Sequence, residues 1–292
     1  MKILVTGAKG NVGKLLQQEL QGRGHDTYGT DITDIDSLDI TAYEQVLSKL
    51  ENLHPDLVVH CAALTNVDLC AEQPLRAIQV NGIGTQNLAL GCQQIGAALC
   101  YVSSNEVFDG QQEIPYQEYD VTRPINPYGY SKWVGEQMVR DLLPRHFIVR
   151  ISWLFAHSGA NFLQKIVQKA AAGQKLSVVT NEIASPTYAD DFVQALIALV
   201  ETGRYGIYHL PNDGYTSRYQ FARHILDCYG YKDTAITPML SSEYSRPSKP
   251  PTYSALANNI AAHMGIRLRS WQEAVAAFVN VEREHSQTPE PK

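Results

Sequence analysis

A tyrosine and a lysine lie four residues apart in the run Asn-Pro-Tyr-Gly-Tyr-Ser-Lys, residues 126–132. On a helix, positions i and i+4 share one face about one turn apart, which would place Tyr128 beside Lys132. A fixed positive charge next to a phenol favours the phenolate, so we expect Lys132 to lower the Tyr128 pKa from its usual value of about 10. Such a pair can exchange a proton near neutral pH. The spacing also arises by chance on many helices, so this chemistry needs support from elsewhere.

The residues around the pair predict the start of a helix. Asn126 can cap it, and Pro127 suits the first helical position. Apolar residues follow at helical spacing, namely Val134, Met138, Val139 and Leu142. An apolar strand over residues 98–102 precedes this helix and ends at two serines. A hydroxyl at the end of a central strand, here Ser104, can hold a substrate carbonyl oxygen opposite the helix.

A second motif lies at the start of the chain. The apolar run 3–5 is typical of a strand buried on both faces, and the pattern G-x-x-G-x-x-G follows at residues 7–13 before a predicted helix. Strand, glycine turn and helix in this order are typical of a dinucleotide site, because glycines let the backbone approach a pyrophosphate at the helix N-terminus. The predicted cofactor contacts in the turn are Gly7, Gly10, Asn11 and Val12.

Two acidic residues bear on the rest of that cofactor. A second strand ends at Asp31, 18 residues after Gly13 and close to the distance at which a carboxylate holds the adenosine ribose hydroxyls. No Arg or Lys lies between Gly29 and Lys49 to receive a 2′-phosphate, which favours NADH over NADPH. Asp39, followed by Ile40, either bonds the adenine amine or belongs to a helix cap.

The third strand, within residues 55–60, ends in small side chains. Cys61, Ala62 and Ala63 leave room for a cofactor at the carboxyl edge of the sheet, where ligands of open α/β sheets bind. We interpret His60 as a core histidine with its hydrogen bonds satisfied. Helices are predicted over residues 71–94, 161–173, 192–201 and 217–229 and around Trp271, with strands over 146–151, 175–179 and 205–210.

Composition excludes several classes of protein. The 292 residues are 44% apolar and 18% charged, as in a globular enzyme with a sizeable core. The formal charge of −6 argues against nucleic acid binding, and no apolar run is long enough to span a membrane. Five cysteines without a C-x-x-C pair and a strand at the N-terminus favour a reduced, cytoplasmic protein without a signal peptide. Nine histidines lack metal-ligand spacing, so we predict no metal.

Strands and helices alternate regularly to about residue 150 and less regularly afterwards. This order predicts an α/β fold, a Rossmann-type doubly wound parallel sheet with a smaller C-terminal α/β substrate lobe. We expect a nucleotide-binding core over residues 1–155. Residues 156–283 would mix segments of the substrate lobe with returning core elements, and residues 284–292 would be a disordered tail.

With the glycine motif, Ser104 and the Tyr128–Lys132 pair in hand, the chain resembles the extended short-chain dehydrogenase/reductases, and within them the dTDP-4-dehydrorhamnose reductase family. The resemblance covers nearly the whole chain. Its matching segments are residues 61–68, 107–110, 124–129, 152–155, 161–162, 185–187, 206–210 and 271–274.

The resemblance implies catalytic roles for Ser104, Tyr128 and Lys132, with Tyr128 and Lys132 also contacting the nicotinamide cofactor. It implies substrate contacts for Thr65, Val67, Asn105 and Trp153, together with Ser104 and Tyr128, and a cofactor contact for Thr65. The substrate would be a nucleotide sugar, reduced at a keto carbon by NADH or NADPH, and a homodimer is compatible with the family.

Four positions depart from the family's pattern. Asn105-Glu106 replaces Asp-Tyr, the segment 181–184 lacks the usual Gln and Gly, Pro250 replaces an Arg beside Lys249, and Leu15 replaces a glutamate that helps some members to bind magnesium. The first three bear on substrate identity, and the fourth removes a reason to expect a metal. Two alternatives stay open. One is a non-catalytic regulatory subunit like the β subunit of methionine adenosyltransferase, and the other an epimerase or reductase of another nucleotide sugar.

Overall fold

The computed structural model describes residues 1–34, 37–159 and 161–287. In chain order the strands are β1 Lys2–Thr6, β2 Asp26–Thr30, β3 Leu57–His60, β4 Ala98–Ser104, β5 His146–Ile151, β6 Leu154–Phe155, β7 Leu176–Val179, β8 Ile183–Ala184, β9 Thr187–Tyr188, β10 Gly206–His209, β11 Thr216–Ser217 and β12 Ile236–Met239. The α-helices are α1 Asn11–Gly22, α2 Tyr43–Leu53, α3 Val67–Glu72, α4 Pro74–Ile78, α5 Gly84–Ile95, α6 Pro127–Leu142, α7 Phe162–Ala171, α8 Ala189–Glu201, α9 Arg218–Cys228, α10 Ile260–His263 and α11 Trp271–Gln287.

A parallel six-stranded sheet forms the centre of the molecule, in the order β10-β5-β4-β3-β1-β2. Its inner strands are buried along almost their whole length because helices cover both faces. One face packs against α1 and α8, and the other against α2, α5 and α6. The predicted Rossmann-type, doubly wound α/β fold is therefore confirmed. Because the strands are parallel, their carboxyl ends meet at one edge, and that edge carries the candidate site.

The prediction of a single helix over residues 71–94 is wrong. Helix α3 ends at Glu72, and α4 starts at Pro74, whose ring nitrogen has no N–H to continue a helix. Between α4 and α5, residues Gln79–Ile83 form a turn of π-helix with buried Asn81 inside it. Such turns are frequent at functional sites, which makes Asn81 a candidate for one.

The C-terminal half contains three small two-stranded sheets, β11-β8, β12-β7 and β6-β9. A separate apolar cluster packs α7, α9 and α11 around Phe155, Phe221 and Phe278. Strand β10 and helix α8, in contrast, join the large sheet and its layers. The domain boundaries remain a prediction. Helix α11 continues to Gln287, so it includes the first residues of the segment 284–292, and the rest of that predicted tail lies outside the described residues.

Candidate active site

A cleft of about 800 Å³ runs along the carboxyl edge of the sheet. It is lined by every residue that the sequence assigned to a site: Gly7, Gly10, Asn11, Val12, Asp31, Asp39, Ile40, Cys61, Ala62, Ala63, Thr65, Val67, Ser104, Asn105, Tyr128, Lys132 and Trp153. The structure thus brings together residues that are up to 146 positions apart in the chain. Their individual roles remain predictions.

The glycine turn lets three backbone segments meet at one end of the cleft. Gly7 has φ +67°, and a Cβ there would lie 2.6 Å from the Ala62 nitrogen. A Cβ on Gly13 would overlap the Gly7 carbonyl oxygen. Gly10 precedes helix α1 without any side-chain cap, so the first N–H groups of the helix keep no side-chain acceptor. This uncapped, positive helix end has the shape and polarity that a pyrophosphate requires.

Asp31 follows β2 and lines the cleft near this turn. Its carboxylate accepts hydrogen bonds from the Lys9 and Thr33 backbone nitrogens, both at 3.2 Å, and from the Thr33 hydroxyl at 3.0 Å. Burial opposes ionisation, but these bonds and the Lys9 charge outweigh it and lower the Asp31 pKa. The Lys9 ammonium, paired with Asp34 at 2.6 Å, is therefore a cation near Asp31 that comes from outside the segment between Gly29 and Lys49.

Asp39 is engaged locally. Its Oδ1 accepts from the Thr41 nitrogen at 2.9 Å and the Thr41 hydroxyl at 2.8 Å, forming a turn just before α2. The N-cap of α2 is Ala42, so Asp39 is not the cap residue. Ile40 is 6% exposed and packs against Gly84 of helix α5. An adenine contact of Asp39 stays a prediction.

Helix α6 begins as predicted and places Tyr128 in its first turn. Asn126 accepts a hydrogen bond from the Gly129 nitrogen at 2.8 Å, and Pro127 is the first helical residue. A Cβ on Gly129 would overlap the carbonyl oxygen of Glu106, so only glycine permits this close approach. The helix start is thereby pressed against the end of β4, where Ser104 lies.

Burial raises the Tyr128 pKa well above its usual value. The nearby Glu106 carboxylate raises it further, whereas a hydrogen bond with Ser104 lowers it. Lys132 is not among the groups that set this pKa, so the prediction that Lys132 lowers it is wrong for this structure. A phenol with a raised pKa is protonated at neutral pH, which suits a proton donor.

Lys132 is 3% exposed, and its ammonium lies 4.1 Å from the centre of the Tyr101 ring. Burial lowers the Lys132 pKa to about 7, although Glu136 acts in the opposite direction. The Lys132 amine is only about half protonated near neutral pH, and it faces the Tyr101 ring. It therefore cannot polarise the Tyr128 phenol as a permanent positive charge would. This explains why the spacing of the two residues gave the wrong direction.

Ser104 and Asn105 end strand β4 and are both buried. The Ser104 hydroxyl donates to Asn105 Oδ1 at 3.2 Å and accepts from the Glu106 nitrogen at 3.2 Å. Asn105 Nδ2 in turn donates to the Ser254 hydroxyl at 2.7 Å. The hydroxyl of Ser104 is thus held in one orientation by neighbouring polar groups.

Asn81 is a residue that the sequence analysis did not assign to the site. Its Oδ1 accepts from the Leu64 nitrogen at 2.8 Å, and its Nδ2 donates to the Leu64 carbonyl at 3.0 Å and the Ser131 hydroxyl at 2.9 Å. It therefore joins the loop after β3 to helix α6. The sequence did contain a signal for Asn81, since it is an amide on the apolar face of a predicted helix.

A buried ion pair lies behind α6. Arg150 donates to both oxygens of Glu136, at 2.8 and 2.7 Å, and Ser103 donates to Glu136 at 2.6 Å. This ion pair ties α6 to β4 and β5.

His60 is a core histidine with its hydrogen bonds satisfied, as predicted. It bonds Thr6 at 2.8 Å and Thr85 at 3.1 Å, and burial lowers its pKa to about 3, with a smaller contribution from Lys132.

The far end of the cleft contains Trp153, which follows β5 and has φ +41°. A bulky residue in this left-handed region is strained, and such residues concentrate at functional sites. The Arg218 guanidinium lies 3.6 Å from the Trp153 ring centre. No pattern in the sequence pointed to Arg218, because helix α9 begins 65 residues after Trp153.

Two kinds of feature are absent from the described part of the chain. Residues 1–34, 37–159 and 161–287 contain no helix of the length and apolarity needed to cross a membrane. In the same ranges, no group of three or more His, Cys, Asp or Glu side chains is arranged to hold a metal ion. The expected metal independence stays a prediction.

A Rossmann-type sheet with a glycine turn, a serine at a strand end and a Tyr-x-x-x-Lys helix on one cleft defines a nucleotide-dependent class of α/β protein. The chain belongs to the RmlD substrate binding domain family, which matches residues 1–284. It is 36% identical to the spore coat polysaccharide biosynthesis protein SpsK of Bacillus subtilis, over 95% of this chain and 96% of that protein.

Relatives that are named for an activity are equally similar. The dTDP-4-dehydrorhamnose reductase of Mycolicibacterium smegmatis is 34% identical, over 95% of this chain and 86% of its own length. The crystal structure of the Bacillus anthracis dTDP-4-dehydrorhamnose reductase in complex with NADP is 35% identical, with a TM-score of 0.90, over 99% of this chain and 100% of that one.

Proposed function

We propose that this protein is a dTDP-4-dehydrorhamnose reductase that uses NADH or NADPH to reduce the 4-keto-6-deoxy nucleotide sugar to dTDP-L-rhamnose. Family membership and relatives named for this activity support the proposal. The observation that carries it is the meeting of Tyr128, Ser104 and Lys132 in one cleft with the glycine turn. The same relatives support a nicotinamide cofactor and a nucleotide-sugar substrate.

The cleft fits a nicotinamide dinucleotide. Gly7 and Gly13 leave no space for a Cβ, and the uncapped N-terminus of α1 offers N–H groups to a pyrophosphate. Asp31 is ionised and faces the position of the adenosine ribose in this fold. When bound, the reduced nicotinamide supplies a hydride to the keto carbon of the sugar. Lys132 would hold the nicotinamide ribose hydroxyls.

The chain's own residues would supply the proton and orient the ketone. Ser104 would turn its one hydroxyl hydrogen from Asn105 Oδ1 to the substrate oxygen, while the Glu106 nitrogen still donates to the hydroxyl and keeps it in position. Tyr128, protonated because of its raised pKa, gives its proton to that oxygen as negative charge develops there. Tyr128 then regains a proton from solvent.

A panel of 4-keto nucleotide sugars tests the proposal against its rivals. A reductase oxidises NADH or NADPH in a one-to-one ratio with dTDP-4-dehydrorhamnose. An epimerase converts its sugar without net consumption of reduced cofactor. A protein that binds NADH and turns over no sugar in the panel would be the regulatory subunit, and the reductase proposal would fall.

A further inference from the structure

Arg218 lies at the end of the cleft away from the glycine turn. Strands β4 and β3 separate β5, which leads to Trp153, from β1, which leads to the glycine turn. At about 4.8 Å per strand the two ends are roughly 14 Å apart. A cofactor pyrophosphate bound at the turn is therefore far from the Arg218 guanidinium.

The sheet pairing explains why Arg218 faces the cleft. Strand β11 pairs with β8 in antiparallel register, Ser217 opposite Ile183, and helix α9 starts at the next residue. The Arg218 nitrogen donates to the Glu182 carbonyl at 3.0 Å, which fixes the first residue of the helix. Ser217 caps the helix through the Gln220 nitrogen at 3.1 Å.

The guanidinium is held in place by ring stacking and by one long ion pair. It stacks on the Trp153 ring at 3.6 Å and lies 5.0 Å from the Phe162 ring. Among the described residues its ion-pair partner is Glu182, at 3.7 Å, which is beyond hydrogen-bonding distance. The side chain is 22% exposed and lines the cleft. Apart from this long contact with Glu182, no side-chain hydrogen bond of Arg218 is formed within the described part of the chain, and its planar fork of N–H donors faces the cleft.

Two guanidinium groups share one carboxylate at this position. Glu182 is shared with a second guanidinium, Arg246, at 3.8 Å, so one carboxylate faces two cations. Glu106 lies near the same cluster. Its pKa is raised, chiefly by burial and also by Glu182, while the Asn126 hydrogen bond and the two arginines oppose the rise. The cluster is therefore positive whenever Glu106 is protonated, and at most neutral otherwise.

We propose that Arg218 binds the diphosphate of the nucleotide-sugar substrate, with Trp153 and Glu182 holding its guanidinium in place. This proposal rests on the proposed function and identifies the residue that distinguishes a nucleoside-diphosphate sugar from a free sugar. A bidentate contact of the planar fork with phosphate oxygens gives both affinity and orientation. Because Trp153 and Arg218 are stacked, the bound diphosphate would also fix the sugar relative to Ser104 and Tyr128.

The test compares dTDP, thymidine and NADH as ligands of the full chain. Dissociation constants for dTDP and NADH are measured by titration calorimetry, and thymidine binding by ligand-observed NMR. Arg218→Met should weaken dTDP roughly 10- to 100-fold, as expected for loss of charged hydrogen bonds, while thymidine and NADH bind as they do to wild type. Arg218→Lys keeps the positive charge but lacks the planar fork, so its affinity for dTDP should lie between those of the wild type and Arg218→Met.

Arg267→Met is the matched control, because Arg267 is exposed and outside the cleft, and it should bind dTDP as wild type does. Unchanged NADH affinity shows that a variant is folded. If Arg218→Met weakens dTDP and thymidine equally, Arg218 contacts the base, and if it weakens NADH as much as dTDP, Arg218 contacts the cofactor. Either result overturns the proposal. Unchanged dTDP affinity in Arg218→Met, or no detectable dTDP binding by the wild type, overturns it as well. Arg218-dependent dTDP binding without sugar reduction would refute the proposed function and leave this site standing.

Discussion

Asn126 and Glu106 form a hydrogen bond of 2.7 Å between Asn126 Nδ2 and Glu106 Oε2, directly beside the start of helix α6. The Asn126 Oδ1 at the same time caps α6 through the Gly129 nitrogen. One amide thus fixes the end of β4 and the start of α6, which carry Ser104 and Tyr128. The relative position of the hydroxyl and the phenol depends on this residue.

Asn126→Asp should destabilise the fold. The variant keeps the cap but loses the donor to Glu106 and puts a second carboxylate beside it, at a cost of about 1–3 kcal/mol in unfolding free energy at pH 7. The loss relative to wild type should shrink as pH falls and one of the two carboxylates is protonated. Asn66→Asp is the control, since Asn66 is itself exposed and caps helix α3, where an added negative charge is harmless. Denaturant unfolding at pH 5 and pH 7 measures the unfolding free energies of both variants. Equal unfolding free energies of Asn126→Asp and Asn66→Asp at pH 7 would contradict the account.

Gly10→Val should abolish NADH binding without unfolding the protein. Gly10 has φ −70°, which valine adopts, and its added Cβ would lie 3.2 Å from the Gly7 carbonyl oxygen, so only a small adjustment is needed. The rest of the side chain would occupy the cradle at the helix end. Gly22→Val, at the last turn of the same helix with nothing within 4 Å of the new Cβ, is the control. Wild-type NADH affinity in folded Gly10→Val would refute a dinucleotide site at this turn.

The wild type should use NADH with a higher kcat/KM than NADPH, because the ionised Asp31 repels a 2′-phosphate. Asp31→Ala should reduce the difference in kcat/KM between NADH and NADPH. Lys9→Met should widen it, because the Lys9 ammonium lies near Asp31 and can offset the repulsion. Steady-state rates with both cofactors decide. A wild type that clearly prefers NADPH would show that Lys9, or another cation, outweighs Asp31.

Lys132→Met should stabilise the fold at low pH and have little effect at high pH. The folded-state pKa of about 7 lies below the unfolded value of 10.5, so the folded protein binds fewer protons between these values and gains stability as pH rises through them. Below pH 7 the buried ammonium costs about 5 kcal/mol, the free-energy equivalent of this pKa shift, and methionine avoids that cost. Thermal unfolding at pH 6 and pH 10 measures the difference, with Lys14→Met, at an exposed lysine, as control. A stabilisation that is the same at both pH values would be inconsistent with a depressed Lys132 pKa.

The sequence predicted the fold and the lining of the cleft because both depend on local patterns. Apolar runs followed by glycines or small residues mark the buried strands and their carboxyl ends, and all such ends meet at one edge. What it missed depends on distant parts of the chain. Arg218 reaches Trp153 only through the pairing of β8 with β11, and Lys9 reaches Asp31 only because β1 and β2 are neighbours. Burial decides the Tyr128 pKa, and the i,i+4 spacing carries no information about burial.

The most direct test of the account is single-turnover oxidation of NADH by Tyr128→Phe, with dTDP-4-dehydrorhamnose at saturating cofactor. The variant removes only the phenolic hydroxyl, so the rate should fall about 10²- to 10⁴-fold with unchanged NADH affinity. Tyr130→Phe, on the same helix but 45% exposed and outside the cleft, should react like wild type. Reduction of the ketone by Tyr128→Phe at the wild-type rate would contradict the assignment of Tyr128 as the proton donor.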